Sequence, residues 1–157
     1  MRPTLLALVL ASLPTSGLAQ DAGPQPSPYC AGLKLITTLA FSKERFASIT
    51  GKPREGSFMD ATLMLDGWKD CSLYGATTYT CDSLALDTAE AAERAQAEML
   101  RGMKSCLGAS WSQASDRSSP SYAVLHHAAR PVSITLSTDQ TDDRKHVVRL
   151  IVFVRRN

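Results

Sequence analysis

The sequence predicts an α+β fold: one antiparallel β-sheet with two helices packed on one face, in the order helix, three strands, helix, three or four strands. Three observations predict it. Two stretches place apolar residues at helical spacing between capping signals. Elsewhere, apolar and polar residues alternate over short runs separated by turn residues. Helical and strand runs also come in blocks rather than strict alternation, which favours segregated helices on an antiparallel sheet.

The first helix is expected from Pro28 to about Ile49. Ser27 is a suitable N-cap and Pro28 a suitable first helical residue. Leu35, Ile36, Leu39, Phe46 and Ile49 would form its apolar face, and Gly51 and Pro53 would stop it. Residues 50–57 read as a loop. Strands are expected at about 58–65, 68–74 and 78–84, with turns at Asp66-Gly67 and Gly75–Thr77. The second hairpin sets Leu73 opposite Tyr79 and Cys71 opposite Cys81, all four on the buried side.

The second helix has the clearest pattern. Asp87 and Glu90 have the spacing of a capping box, Ala92, Ala95, Met99, Met103 and Cys106 share a face, and Gly108 ends it. The rest reads as strand: a short piece around Trp111, a polar loop at 114–121, then 122–128, 132–137 and 146–155, with a hairpin loop at 139–143. The last strand is apolar on both faces, so it should lie centrally in the sheet. The order hints at duplication of a helix-plus-three-strand unit, although no repeat of residues accompanies it.

Domain organisation follows from the N-terminus. Arg2 precedes an apolar run from Leu5 to Leu13, and Gly17-Leu18-Ala19 puts small residues before a cut between Ala19 and Gln20. Residues 1–19 therefore read as a secretory signal peptide, 20–27 as a disordered lead-in and 28–157 as a single domain. The apolar run falls far short of the roughly 20 residues that span a bilayer, and no later segment is a transmembrane candidate. Export places the mature chain in the periplasm or outside the cell. Without Arg2 the formal charge falls from +2 to +1, which gives no case for nucleic-acid binding.

Cys30, Cys71, Cys81 and Cys106 all follow the cut, and an even count in an exported domain reads as two disulfides. The tight Cys pairs of zinc sites are absent from the sequence. The pairing can be argued from layout. If each helix runs antiparallel to the strand beside it in sequence, and three strands lie between, both helices point the same way. Cys30 and Cys106 would then be separated by about 18 residues of helix, about 27 Å, beyond the reach of a disulfide. This favours Cys30–Cys71 with Cys81–Cys106, and the crossed pairing next.

No motif announces chemistry. His126 and His127 are adjacent on a strand and point to opposite faces, so they cannot easily share a metal; His146 lies elsewhere. Asp139, Asp142 and Asp143 lack the calcium-loop pattern. The nucleophile elbow and phosphate-binding glycine patterns are missing from the sequence. No catalytic residue, cofactor or metal is expected. Two basic clusters, Lys43/Arg45/Lys52/Arg54 and Arg144/Lys145/Arg149/Arg155/Arg156, read as surface charge or as a site for an acidic partner. Trp68 and Trp111 read as core residues. The expected function is a non-catalytic periplasmic or secreted interaction protein, an inhibitor or immunity-type protein being one form. It would bind an unknown protein or envelope component through a sheet face, a strand edge or the 114–121 loop. The alternative is a small envelope hydrolase with a site near His126, His127 or His146.

Overall fold

A computed structural model of the chain describes residues 27–155. The leader, the Ala19/Gln20 cut, residues 20–26 of the lead-in, and Arg156 lie outside the described residues. Helix α1 spans Pro28–Phe41 and a 3-10 turn spans Ala47–Ile49. Strands β1 (Thr50–Pro53), β2 (Phe58–Ala61), β3 (Lys69–Tyr74) and β4 (Thr78–Asp82) follow. Helix α2 (Ala89–Leu107) comes next. Strands β5 (Trp111–Gln113), β6 (Tyr122–His127), β7 (Val132–Gln140) and β8 (His146–Val154) close the chain. All eight strands form one antiparallel sheet in the order β1-β2-β3-β4-β8-β7-β6-β5. The α+β prediction holds, and β8 is central as its two apolar faces require.

Helix α1 starts as expected: the Ser27 hydroxyl accepts from the Cys30 N–H at 3.3 Å. It ends at Phe41, well short of Ile49. Ser42 turns extended, and both its N–H and its hydroxyl donate to the Leu39 carbonyl, at 2.9 and 2.8 Å. Arg45 then adopts a left-handed conformation (φ 50°) that no helix continues through. Phe46 and Ile49 still reach the core, from the 3-10 turn rather than from α1. The buried face of α1 is Leu33, Ile36, Thr37 and Ala40, with Leu35 left 47% exposed. Helix α2 matches its expected face, but Thr88 caps it, not Asp87. The Thr88 hydroxyl accepts from the Ala91 N–H at 3.1 Å, while Asp87 pairs with Lys145 at 2.6 Å. Gln96 on the buried face donates to the Leu136 carbonyl at 3.1 Å, which satisfies its amide in the core.

The segment read as a loop, residues 50–57, holds strand β1. It pairs with β2 through Thr50↔Ala61 and Pro53↔Met59, with a register shift between them. Gly51 and Pro53 suggested a loop, yet each suits this place. Proline is tolerated on an edge strand, and a Cβ on Gly51 would meet Asp60 at 3.0 Å. Strand β2 ends at Ala61, so the Asp66-Gly67 turn closes a longer excursion that buries Leu65 and Trp68 rather than a tight hairpin. Strand β7 extends to Gln140, so Asp139 belongs to the strand and not to the loop.

The extra strand inverts the disulfide argument. With four strands between the helices, the first and last of them are antiparallel, so the two helices run in opposite senses. The start of α1 then lies beside the end of α2. Cys30 bridges Cys106 with Cα atoms 5.3 Å apart, and Cys71 bridges Cys81 at 4.1 Å. The pairing Cys30–Cys71 with Cys81–Cys106 is therefore wrong, and the pairing set aside on distance is the real one. The recurring unit is also larger than the helix and three strands expected from sequence. Each half is a helix and four strands, and the halves join where β4 pairs with β8.

Strand alternation sorts residues onto two faces. Leu73, Tyr79, Cys81, Leu150, Val152, Ile134, Leu136 and Leu125 are aligned by register and buried under the helices. The Tyr79 hydroxyl donates to the Leu63 carbonyl at 2.9 Å, and burial raises its pKa well above the usual value. The residues between them face the other way, away from both described helices.

The two bridges should differ in their contribution to stability. Restriction of the unfolded chain predicts about 4.5 kcal/mol for the Cys30–Cys106 closure and about 2.7 kcal/mol for Cys71–Cys81. Urea denaturation of C30A/C106A and C71A/C81A measures both. Equal or reversed losses would contradict this account.

Candidate functional site: the helix-free face of the sheet

Three rows of side chains cross the uncovered face. The first runs Phe58–Tyr74–Thr78–Phe153–Ser133, by the register pairs that join β2, β3, β4, β8 and β7. The second runs Asp60–Ser72–Thr80–Ile151–Thr135. The third joins Asp82, Arg149 and Ser137, with Asp70 beside them. An aromatic row and a charged row thus border a lane of short, mostly hydroxylic side chains. The lane is the floor of an open groove of about 620 Å³ on the β2–β3–β4–β8 side, within the range of ligand-binding clefts.

The charged border is built from two guanidiniums, each set between carboxylates. Arg149 donates to both oxygens of Asp82, at 2.7 and 2.9 Å, and lies 3.3 Å from Asp139. Arg54 donates through Nε to Asp60 and through a terminal nitrogen to Asp70 at 2.6 Å. These hydrogen bonds raise the pKa of both arginines, against the smaller opposing effect of burial. Asp70 reaches its position because β3 is kinked there: its φ is 43°, and the β3–β4 register shifts between Lys69 and Ser72. At the opposite border Phe58 and Tyr74 are 41% and 52% exposed, with ring centroids 5.2 Å apart. Two neighbouring aromatic rings left open beside a polar groove form an adhesive surface.

The residues singled out from sequence disperse. His126 lies on the uncovered face with Nδ1 2.7 Å from the Ser133 hydroxyl. His127 lies on the helix side, edge-on to Phe41 and Trp111, and accepts from the Ala129 N–H at 3.1 Å. His146 sits at the far end of the β7–β8 ladder, opposite Gln140. Among the described residues, no group of three or more His, Cys, Asp or Glu could hold a metal ion. Both basic clusters break up. Arg54 and Arg149 belong to the groove, Lys145 to Asp87, and Arg45 lines a separate surface cleft with Arg130. Trp68 is core; Trp111 is half-buried. The 114–121 loop holds a 3-10 turn, Ser115–Arg117. It is folded back through Ser118–Ala114, Gln113–Ser118 and Ser119–Tyr122 hydrogen bonds.

Phe58, Tyr74 and Asp82 were not singled out from sequence. Their signal was the alternation itself, with polar residues at every second position of β3, β4 and β7. Only the register converts that alternation into rows. No protein-family model, curated protein or solved structure matches the chain.

Two outcomes test this geometry. Asp82→Asn leaves the half-buried Arg149 guanidinium with a weaker partner and should cost about 1–2 kcal/mol. A double-mutant cycle with Arg149→Met should show that the second change restores part of it; additive losses would mean the pair is not coupled. His126 is held below its usual pKa by burial first and then by Arg155 and Arg117. Its contribution to stability is therefore fully present above about pH 6.5, the unfolded value, and is lost as pH falls through the folded value. Urea midpoints from neutral to mildly acidic pH should fall, and His126→Asn should flatten that part of the profile.

Proposed function

We propose that this chain is an exported, disulfide-stabilised binding protein, acting in the periplasm or outside the cell, which docks a partner on the helix-free face of its sheet. The observation that carries the proposal is the groove itself, with its paired exposed aromatics and fixed ion pairs on a face that neither described helix covers. The oxidised state of all four cysteines fits an exported protein. No described helix is long and apolar enough to cross a membrane.

The other docking modes have less support. Both sheet edges are short: four residues in β1, with Pro53 and a register shift, and three in β5. Such edges are poor templates for an added strand. The 114–121 loop is hydrogen-bonded back onto the sheet and does not project as an inserting arm. The hydrolase reading rests on the His126–Ser133 contact. Ser133 has no exposed surface, which leaves its hydroxyl shielded from a substrate, and the groove on this face is lined by no histidine.

The test is capture from envelope extract with the full chain, Tyr74→Glu on the proposed face and Leu35→Glu on the opposite side. The parent and Leu35→Glu should recover the same stoichiometric partner, and Tyr74→Glu should lose it while keeping its thermal transition. Undiminished capture by Tyr74→Glu removes the face from consideration. An absent partner together with His126-dependent turnover on a substrate panel establishes the hydrolase instead.

A further inference from the structure

The groove has a charge preference that its ion pairs conceal. Its lining holds two guanidiniums, Arg54 and Arg149, against three carboxylates, Glu55, Asp70 and Asp82; Asp60 and Asp139 pair with the guanidiniums from just beyond it, and Lys69 stands opposite Asp82 on the β3–β4 ladder. Together these are three cations against five carboxylates, an excess of two negative charges. Both guanidiniums are already engaged by two carboxylates each, so neither offers a free fork to an incoming anion. Glu55 is exposed and in no ion pair among the described residues, and the side chain of Asp70 is 63% exposed. These two acids face solvent and line the same groove as Tyr74 and Phe58.

We infer that the groove receives a basic segment of a partner protein, seating a Lys or Arg side chain between the Phe58–Tyr74 pair and the carboxylates of Glu55 and Asp70. The inference rests on the proposed use of this face and names the chemistry of what binds there. Charge complementarity selects the occupant. An anion would meet net negative charge with no free donor fork. A cation meets carboxylates on one side and two aromatic rings on the other, and both attract it. The rings are tilted 52° to each other, so they form a cleft for a narrow side chain rather than a flat platform for a sugar ring. The hydroxyls of Ser72, Thr78 and Thr80 on the floor give the segment's backbone partners for hydrogen bonds.

Fluorescence titration of the full exported chain with three short peptides of equal length tests this: one rich in Lys and Arg, one rich in Glu, one of Gly and Ser. A neutral oligosaccharide is the fourth ligand. The basic peptide should bind tightest, and its affinity should fall as salt rises past physiological ionic strength. Glu55→Gln with Asp70→Asn should weaken it by about fivefold or more, and Tyr74→Ala should weaken it as well. Asp142→Asn with Asp143→Asn, at a hairpin tip elsewhere, removes the same charge and should leave binding unchanged. Equal or tighter binding of the acidic, neutral or sugar ligand overturns the inference, as does an equal loss from the hairpin-tip control. If the peptide preference fails while envelope capture still depends on Tyr74, the charge assignment alone falls. If capture is independent of Tyr74, the face and the inference fall together.

Discussion

The antiparallel pairing of β4 with β8 joins two four-strand meanders into one sheet, and both the core and the groove are set at that seam. Its register opposes Tyr79 to Val152 and Cys81 to Leu150 on the face beneath the helices. The residues between them, Thr80 with Ile151 and Asp82 with Arg149, are opposed on the other face. One alignment thus closes the apolar core and builds the central ion pair of the groove. Because side chains alternate with a period of two, a slip of one residue would bury Asp82 and Arg149 and expose Tyr79 and Leu150. The bidentate Asp82–Arg149 contact and the buried Tyr79 therefore support the same register from opposite sides.

The seam also orders the helices. Each half contributes one helix followed by four strands that end at the seam. Two such halves meeting through antiparallel last strands are related by a half-turn about an axis through the sheet. That relation keeps both helices on one face and reverses their sense, which is why the start of α1 meets the end of α2. The Cys30–Cys106 bridge ties the two halves across this contact. The Cys71–Cys81 bridge lies within the first half and braces β3 against β4, beside the kink at Asp70.

Much of this was legible in the residues. Ser27, Gly108, the Leu73–Tyr79 register and the central place of β8 follow from capping, turn and periodicity rules that act over a few residues. The failures came where a local rule was overridden by a distant partner. Gly51 and Pro53 carry a loop signal, and only β2 makes them a strand, with Asp60 filling the space where a Cβ would stand. That one strand reversed the parity between the helices, so a correct distance argument returned the wrong pairing. Asp87 and Thr88 were both suitable caps, and Lys145, far along the chain, claims the aspartate. The site was less legible still. Its aromatic and charged borders each draw on residues from both halves of the chain, and no spacing within one segment reveals them.

The distribution of polar groups over the two faces shows what the fold leaves available for binding. On the helix side Gln96 is committed to the Leu136 carbonyl and Tyr79 to the Leu63 carbonyl, while the Tyr29 hydroxyl on α1 is buried with no partner among the described residues. On the free side the two arginines are committed as well, each to two carboxylates, while the aromatic rings of Phe58 and Tyr74 and the acid Glu55 remain open, and Asp70, bonded to Arg54, keeps most of its side chain in solvent. Held guanidiniums and the disulfide-braced β3–β4 hairpin restrain the groove, which lowers the ordering cost of the proposed binding. A restrained surface whose unspent groups are two rings and a surplus of carboxylates is complementary to a cationic, partly apolar side chain. The staples, the seam and the kink at Asp70 all act on that surface from beneath or beside it, which ties the stability of the domain to the shape of the face it presents.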